Sequence, residues 1–261
     1  MLKLWILGPC GIDDVDTYLD IGKRLYELPQ LQGVEWYYKA SFDKANRTSV
    51  KGERGVGMSD GIKAFTMIKQ ECPDIKLTTD VHECWQLSEL AEYIDVIQIP
   101  AFLCRQTDLI MSAAEYFDVV HIKKGQWIGP NNIVIAVDKI KDVNPDCQAW
   151  ISDRGSNFGY DKLIVDFDVV DELKEYYDKV LLDCTHSTQR SRKVYGVQAN
   201  LALAKRYFKA APLFEYDGVF AETHTRPQDS VSDKDSQIPL EELPSLLDIQ
   251  YRINNENLIR V

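Results

Sequence analysis

The chain has 261 residues, a formal net charge of −11 at pH 7 and 45% hydrophobic side chains, so it is long and apolar enough for a sizeable buried core. An acidic chain lacks the extended positive field that nucleic-acid binding requires, so we expect no nucleic-acid partner. The six cysteines include no CxxC pair, no apolar run reaches membrane-spanning length, and the first residues lack a signal-peptide pattern, so we expect a cytoplasmic protein that makes no membrane contact.

β-Branched or aromatic runs alternate with amphipathic stretches, and no Pro/Gly/Ser-rich linker interrupts them, so we predict a single domain over 1–261. Predicted strands cover 2–7, 36–40, 76–79, 96–99, 119–122, 149–152, 180–183 and 218–221. Predicted helices include 58–71, 85–93, 107–116, 133–143, 197–210 and 240–253. This repeated strand–helix order predicts an α/β protein with a (β/α)8 TIM barrel. A doubly wound open sheet is the alternative, although no GxGxxG motif follows a strand.

Polar side chains gather where the predicted strands end. The carboxyl ends of the strands meet at one rim of such a barrel, and active sites in this fold lie there. The cations that would converge at this rim are Lys39, Lys44, Arg47, Lys123 and Arg154. In an otherwise acidic chain their natural partner is a small, highly charged anion, which indicates phosphorylated substrates. For the segment 39–49 alone, a solvated basic turn is the alternative.

A second polar set follows the first, seventh and eighth strands, which become neighbours when a barrel closes. It combines a thiol, an imidazole and two carboxylates: Cys10, His186, Glu222 and Asp233. Mixed sulfur, nitrogen and oxygen ligands suit a divalent transition metal. Each residue also has an ordinary alternative, because a cysteine after a strand often belongs to the core and a loop histidine or glutamate often makes only hydrogen bonds.

Nine stretches spread over nearly the whole chain resemble the 3-deoxy-D-manno-octulosonate 8-phosphate synthase family, whose members use phosphoenolpyruvate. They are 8–10 (GPC), 39–47 (KASFDKANR), 79–83 (TDVHE), 98–109 (QIPAFLCRQTDL), 123–126 (KKGQ), 154–160 (RGSNFGY), 185–187 (THS), 217–224 (DGVFAETH) and 232–233 (SD). The related heptulosonate 7-phosphate synthases carry a KPRT phosphate loop where this chain has KANRTS at 44–49, so the octulosonate branch fits better.

The resemblance implies condensation of phosphoenolpyruvate with arabinose 5-phosphate and water, with release of inorganic phosphate, in lipopolysaccharide biosynthesis. By the matching motifs, phosphoenolpyruvate would be bound by Lys39, Lys44, Lys123 and Arg154, in a pocket lined by Ser41, Gln98 and Ala101. The sugar phosphate would be held by Asn46, Arg47, Thr48 and, from a neighbouring subunit, Arg105. A site completed by a second subunit implies a homo-oligomer, and we expect a homotetramer.

The family has a metal-dependent class with cysteine at the position of Cys10 and a metal-independent class with asparagine there, so the resemblance implies the first class. A divalent metal (Mn, Fe, Zn or Co) would then be bound by Cys10, His186, Glu222 and Asp233. Asp80 and His82 would orient groups or relay protons in catalysis, or would only support their neighbours.

The stretch 188–195 (TQRSRKVY) departs from the family, which has a glycine-rich loop there. It carries three cations, Arg190, Arg192 and Lys193, and lies near the expected sugar site, so another aldose phosphate is an alternative substrate. The stretch 127–132 (WIGPNN) also differs from the family. Two further functions stay open at this point: a metal-dependent barrel hydrolase and a noncatalytic protein that binds sugar phosphates.

Overall fold

The computed structural model describes residues 2–47, 50–192 and 196–255, and it describes the backbone alone at 191–192, 196–198, 251–252 and 254–255. Its strands are β1 (Leu4–Gly8), β2 (Glu35–Lys39), β3 (Leu77–Asp80), β4 (Val96–Ile99), β5 (Val119–Lys123), β6 (Gln148–Asp153), β7 (Lys179–Asp183), β8 (Arg190–Arg192), β9 (Gly196–Gln198), β10 (Gly218–His224) and β11 (Ile238–Pro239). Its α-helices are α1 (Val15–Tyr26), α2 (Gly57–Glu71), α3 (Trp85–Leu90), α4 (Thr107–Tyr116), α5 (Pro130–Ile133), α6 (Ile135–Val143), α7 (Val169–Lys174), α8 (Leu201–Ala210) and α9 (Leu243–Asn255).

Strands β1 to β7 and β10 form a closed parallel barrel. Each strand pairs in parallel with the next, and β1 pairs with both β2 and β10, so that Leu4 lies opposite both Glu35 and Gly218. The helices alternate with the strands along the chain. The predicted (β/α)8 barrel is therefore confirmed, and the doubly wound alternative is wrong because an open sheet would leave two unpaired edges.

Side-chain alternation along the strands separates an apolar barrel interior from a polar rim. One buried apolar cluster contains Tyr37, Leu181 and Phe220, whereas their strand neighbours belong to the larger cluster between the sheet and the helices. Two positions further along the same strands, on the same face, stand buried charged residues: Lys39, Asp183 and Glu222. The period of two thus places charged groups directly above the apolar interior, at the carboxyl ends of the strands.

The predicted strands match the barrel strands to within a few residues, but the predicted helix over 197–210 begins too early. Residues Gly196–Gln198 form β9, which pairs antiparallel with β8. Helix α8 begins only after Asn200, whose Oδ1 accepts a hydrogen bond of 3.0 Å from the backbone N–H of Leu203. This cap fixes the start of the helix, because asparagine favours the N-cap position over the helix interior.

The stretch 188–195, expected as a loop, instead contains β8 of a short hairpin, and its Lys193 lies outside the described residues. The backbone of Arg190 also forms an isolated antiparallel bridge with Lys162. Helices α1 and α7 come in addition to the predicted ones. Across the described ranges, no helix is both long and apolar enough to cross a membrane.

Gly8 ends β1 where the chain passes close to β2. Its φ is +150°, and a Cβ atom built on it would lie 2.0 Å from the backbone oxygen of Lys39. No side chain can occupy that space without moving backbone. The glycine therefore lets β1 and β2 approach each other at the rim, just before Cys10 and Ser41, which follow the two strands along the chain.

We expect Gly8→Ala to lower the free energy of unfolding by about 3 kcal/mol or more, because the methyl group must displace the backbone of β2. Urea denaturation at pH 7 measures this change. Gly129→Ala is the matched control: a Cβ atom built on Gly129 would meet nothing within 4 Å and its φ is −76°, so we expect a change of about 0.5 kcal/mol or less. Equal unfolding midpoints for Gly8→Ala and the wild type would contradict the packing argument.

Candidate active site

A cavity of about 630 Å³ opens at the carboxyl ends of the barrel strands. Most of the residues predicted for the site line this cavity: Lys39, Lys44, Asn46, Arg47, Asp80, Gln98, Ala101, Lys123, Arg154, His186, Glu222 and Asp233. Strand ends from all around the barrel thus contribute to one wall. The two predicted chemical sets, cations and metal ligands, face the same space.

Ser41 joins two lysines to a carboxylate on one side of the cavity. Its Oγ accepts hydrogen bonds from Lys39 Nζ (2.7 Å) and Lys44 Nζ (2.8 Å) and donates to Asp80 Oδ1. Lys39 Nζ also lies 3.2 Å from Asp80 Oδ1, and His82 Nε2 lies 3.3 Å from the other carboxylate oxygen. Burial alone would raise the pKa of Asp80, but Lys39 and His82 hold that pKa well below its usual range. Asp80 is therefore an ionised group that orients its neighbours.

Lys44 remains a cation although it is partly buried. Burial alone would lower its pKa, but the nearby carboxylates of Asp80, Glu222 and Asp233 act against burial, and the pKa is raised. Its side chain lines the cavity. An anionic ligand would therefore meet a fixed positive charge at this point.

Lys123 and His186 share one fully buried carboxylate, that of Asp183. Asp183 Oδ2 accepts from Lys123 Nζ and, at 2.8 Å, from His186 Nδ1, while Oδ1 accepts from the backbone N–H of His186 at 2.9 Å. His186 and Lys123 outweigh burial and hold the pKa of Asp183 well below its usual range. Burial lowers the pKa of Lys123 to about 8, although Asp183 acts in the opposite direction. The Lys123 ammonium also lies 3.1 Å from the centre of the Phe220 ring.

Arg154 is held by two amide groups. Its Nη1 donates to Gln126 Oε1 and its Nη2 donates to Gln189 Oε1, both at 2.7 Å. The described residues place no carboxylate within ion-pair distance of this guanidinium. Because amide oxygens orient the group without cancelling its charge, Arg154 keeps a full positive charge for a ligand in the cavity.

Arg47 is likewise held by neutral acceptors among the described residues. Its side chain donates to the backbone oxygens of Glu53 (2.6 Å) and Val231 (2.8 Å), and its Nη1 donates to Ser232 Oγ at 2.9 Å. Asn46 stands beside it on the cavity wall. Thr48, the third predicted residue of this loop, lies outside the described residues.

The predicted metal ligands lie close to one another in the structure. Ligand atoms of Cys10, Glu222 and Asp233 all lie within 4.8 Å of one another. His186 stands next to this trio, with Nε2 3.4 Å from Glu222 Oε1 and 4.0 Å from Asp233 Oδ2. The bond from its Nδ1 to Asp183 leaves Nε2 to face the trio.

The chemistry of this donor set fits a divalent metal. Both carboxylate oxygens of Glu222 are buried and make no hydrogen bond with the described residues, an arrangement that is costly unless a cation fills it. The Cys10 thiol donates to Asp233 Oδ2 at 3.2 Å, and burial together with Glu222 raises its pKa well above the usual value. A metal ion would take the place of that thiol proton.

Four predicted residues do not line the cavity of this chain. Cys10, Ser41 and His82 contact three residues that do line it: Asp233, Lys39 and Asp80. Arg105 is exposed and away from the cavity lining, with its backbone oxygen accepting from Lys139 Nζ at 3.0 Å. This exposure is compatible with the prediction that Arg105 acts in a neighbouring subunit.

Two residues that the motifs do not assign are central to the site. Asp183 ends β7, and polar residues at strand ends are expected to form the site, so its position could have identified it. Gln189 connects Arg154 to Asp233, because its Oε1 accepts from the arginine and its Nε2 donates to Asp233 Oδ1 at 3.0 Å. No motif or period in the sequence signals a glutamine with that role.

The model of the DAHP synthetase I family matches residues 2–256. The chain belongs to this family. Among curated members, a Fusobacterium nucleatum subsp. nucleatum protein named 2-dehydro-3-deoxyphosphooctonate aldolase is 36% identical over 256 residues, which cover 95% of this chain and 89% of that protein. A Helicobacter pylori (strain P12) protein of the same name is 37% identical over 263 residues, covering 96% of this chain and 95% of the relative. A Campylobacter jejuni subsp. jejuni protein, again so named, is 35% identical over 261 residues, covering 96% of each chain.

Membership of the DAHP synthetase I family confirms the resemblance on which the predicted roles depend. The matched region contains every strand of the barrel and every residue of the cavity wall. The relatives named 2-dehydro-3-deoxyphosphooctonate aldolase match nearly end to end, so the sequence similarity extends over the whole barrel of this chain.

Proposed function

We propose that this chain is an enzyme that condenses phosphoenolpyruvate with arabinose 5-phosphate and water, giving 3-deoxy-D-manno-octulosonate 8-phosphate and inorganic phosphate. The observation that carries the proposal is the cationic cavity, in which Arg47 and Arg154 keep uncancelled charge beside the Cys10–Glu222–Asp233 trio. The name 2-dehydro-3-deoxyphosphooctonate aldolase, borne by relatives of nearly equal length, supports this reaction. We also place the reaction in the cytoplasm and assign its product to lipopolysaccharide biosynthesis.

The reaction forms one carbon–carbon bond and breaks one carbon–oxygen bond. The methylene carbon of phosphoenolpyruvate bonds to the aldehyde carbon of the sugar phosphate, whose oxygen takes up a proton. Water adds to the former enol carbon, and the bond from that carbon to the phosphate ester oxygen breaks, so inorganic phosphate leaves with the bonding electrons. The protein must therefore hold two phosphates and one carboxylate close together.

The cations of the rim supply that charge compensation. In the proposal, phosphoenolpyruvate is bound by Lys39, Lys44, Lys123 and Arg154, with Ser41, Gln98 and Ala101 around it. Gln98 supports this, because its buried Oε1 has no partner among the described residues and its side chain lines the cavity. Fixed cations reduce the repulsion between the two anions and hold the reacting carbons near each other.

Asn46, Arg47 and Thr48 form the sugar-phosphate end of the proposed site. The Arg47 guanidinium is already oriented by Ser232 and by two backbone oxygens, so little side-chain freedom is lost on binding. Arg47 and Arg154 both line the cavity, and in the proposal each binds the phosphate of a different substrate. Asp80, as an ionised carboxylate, orients Lys39 and Ser41, and His82 in turn holds Asp80.

In the proposal a divalent metal, Mn, Fe, Zn or Co, is bound by Cys10, His186, Glu222 and Asp233. Such an ion supplies Lewis acidity toward an oxygen of the substrate or of water. The chain's own part is orientation: Asp183 fixes the ring of His186, Gln237 Oε1 accepts from the backbone N–H of Cys10 at 3.1 Å, and Lys44 limits the negative charge of the cluster.

We expect inorganic phosphate to appear only when phosphoenolpyruvate and an aldose phosphate are both present. Phosphate release and product mass, measured across a series of four- to six-carbon aldose phosphates, test the reaction. The highest kcat/KM is expected with arabinose 5-phosphate, and Arg154→Ala should lower kcat/KM by about 100-fold or more through loss of one buried charged contact. Phosphate release from either substrate alone would instead identify a hydrolase, and binding without turnover a noncatalytic protein.

Removal of divalent metal is expected to abolish turnover. Wild-type protein stripped with a chelator should lose activity by about 100-fold or more and regain it on addition of Mn, Fe, Zn or Co. Cys10→Ala should bind metal weakly and stay inactive, whereas Cys84→Ala, which removes an exposed thiol, should behave like the wild type. Full activity in metal-free wild-type protein would contradict the metal proposal.

A homotetramer with sites completed across subunits is the third part of the proposal, and the exposure of Arg105 supports it. Sedimentation velocity should give a tetramer. Arg105→Ala should raise the KM for the sugar phosphate on the order of tenfold and change that for phosphoenolpyruvate little, because one charged contact to the sugar phosphate is lost. Arg206→Ala, at another exposed position, is the control. A fully active monomer would contradict the shared site.

A further inference from the structure

A continuous chain of hydrogen bonds runs from one arginine of the cavity to the other through Asp233. Arg47 Nη1 donates to Ser232 Oγ at 2.9 Å, and Ser232 Oγ donates to Asp233 Oδ2 at 3.0 Å. On the other side, Gln189 Nε2 donates to Asp233 Oδ1 at 3.0 Å, and Arg154 Nη2 donates to Gln189 Oε1 at 2.7 Å. Each oxygen of the proposed metal ligand is thus tied to a different anion-binding group.

The Gln189 side chain matches both of its neighbours. Its neighbours are a guanidinium, which only donates hydrogen bonds, and a carboxylate, which only accepts them. A primary amide satisfies both through its oxygen and its nitrogen, and it adds no charge. A carboxylate in its place would repel Asp233 and cancel the charge of Arg154, whereas an apolar side chain would break both contacts.

Ser232 makes the corresponding connection on the other side. Its hydroxyl accepts from Arg47 and donates to Asp233, and the residue is 7% exposed. Asp233 itself has φ of +49°, in the left-handed region that is uncommon for residues other than glycine. Three side chains, those of Cys10, Gln189 and Ser232, donate to its carboxylate and orient it.

We propose that Gln189 and Ser232 are positioning residues that couple metal binding at Asp233 to anion binding at Arg154 and at Arg47. The inference deepens the proposed function and rests on it for the identity of the two ligands. A phosphate group bound to either arginine restricts that guanidinium. Because one neutral linker connects that guanidinium to one oxygen of Asp233, the bound anion also restricts the Asp233 carboxylate. Less conformational freedom of this carboxylate is then lost when the metal binds.

The coupling must be reciprocal in binding free energy. If an anion on Arg154 tightens metal binding by a given factor, the metal tightens binding of that anion by the same factor. Direct attraction between the anion and the metal contributes a part that does not depend on the linkers. The proposal concerns the remaining part, which the linker variants remove.

Each linker connects Asp233 to one arginine, so each variant is a control for the other. Gln189→Leu breaks the hydrogen-bond path from Asp233 to Arg154 and leaves the path to Arg47. Ser232→Ala does the opposite. Gln126→Leu is a further control, because Gln126 holds Arg154 at the same distance of 2.7 Å without contacting Asp233. It should weaken phosphoenolpyruvate binding while keeping the coupling.

The experiment measures the dissociation constant of Mn²⁺ for full-length metal-stripped protein by electron paramagnetic resonance of the free ion. It is measured alone, with saturating phosphoenolpyruvate and, separately, with saturating arabinose 5-phosphate, so that no turnover occurs. In the wild type we expect each anion to tighten Mn²⁺ binding on the order of tenfold. In Gln189→Leu the effect of phosphoenolpyruvate should fall below about threefold while that of the sugar phosphate persists, and Ser232→Ala should show the reverse.

Failure of the inference differs from failure of the proposed function. Wild-type protein that binds Mn²⁺ and both anions, with coupling unchanged in Gln189→Leu and Ser232→Ala, would overturn the role of the linkers and leave the proposed reaction intact. If each variant lost the coupling of Mn²⁺ binding to both anions equally, the assignment of one linker to each anion would be overturned. Wild-type protein that binds no Mn²⁺ would overturn the metal site and, with it, the coupling. If thermal melting shows that Gln189→Leu is unfolded, Gln189→Met, which keeps the chain length, replaces it.

Discussion

Three buried lysine–aspartate pairs hold the rim of the barrel on which the site depends. They are Lys39–Asp80, Lys123–Asp183 and Lys124–Asp153, and every one of these side chains is at most 8% exposed. An unpaired charge at that depth would cost several kcal/mol, so each member requires its partner. The pairs join β2 to β3, β5 to β7 and β5 to β6. The strand ends are therefore held together by ion pairs, two of which, Lys39–Asp80 and Lys123–Asp183, include residues that line the cavity.

Lysines and arginines have different roles at this rim. Lys39 and Lys123 are each paired with an aspartate, and both side chains line the cavity. Arg47 and Arg154 are held by hydroxyl, amide and backbone oxygens, which orient a planar guanidinium and leave its charge uncancelled. Position and net charge are thus supplied by different residue types. A site for two phosphorylated molecules needs both, because pairing alone would leave no charge for the ligands.

The sequence indicates which residues reach the rim, since strand periodicity and polar strand ends can be read from it. Lys123 and Glu222 are examples: each stands two positions after an inward-facing residue at the end of a strand. It does not indicate which rim residues bond to one another, because those partners are far apart along the chain, as with Lys123 and Asp183, which are 60 positions apart. Gln189 was missed for that reason. Its role exists only after three separate segments meet.

The hairpin of β8 and β9 shows a different limit. Its strands have three residues each, and RSR and GVQ show no alternation that would distinguish them from a loop or from the start of a helix. The bridge between Arg190 and Lys162 adds a tertiary contact that no local pattern contains. Strands of this length depend on their surroundings more than on propensity, so a prediction from local pattern fails there.

The contrast between the acidic chain and its cationic rim has a consequence for how fast ligands arrive. At a distance, an approaching phosphorylated molecule meets the field of a protein with net charge −11. Only within about 8 Å, the Debye length at physiological ionic strength, do the rim cations dominate. Added salt should therefore raise both the association and the dissociation rate constants, with opposite effects on affinity. It screens the distant repulsion, which speeds association, and it weakens the local attraction, which speeds dissociation. Phosphorylated ligands would bind with an association rate constant that is low for their affinity, and short-range contacts would make their dissociation slow.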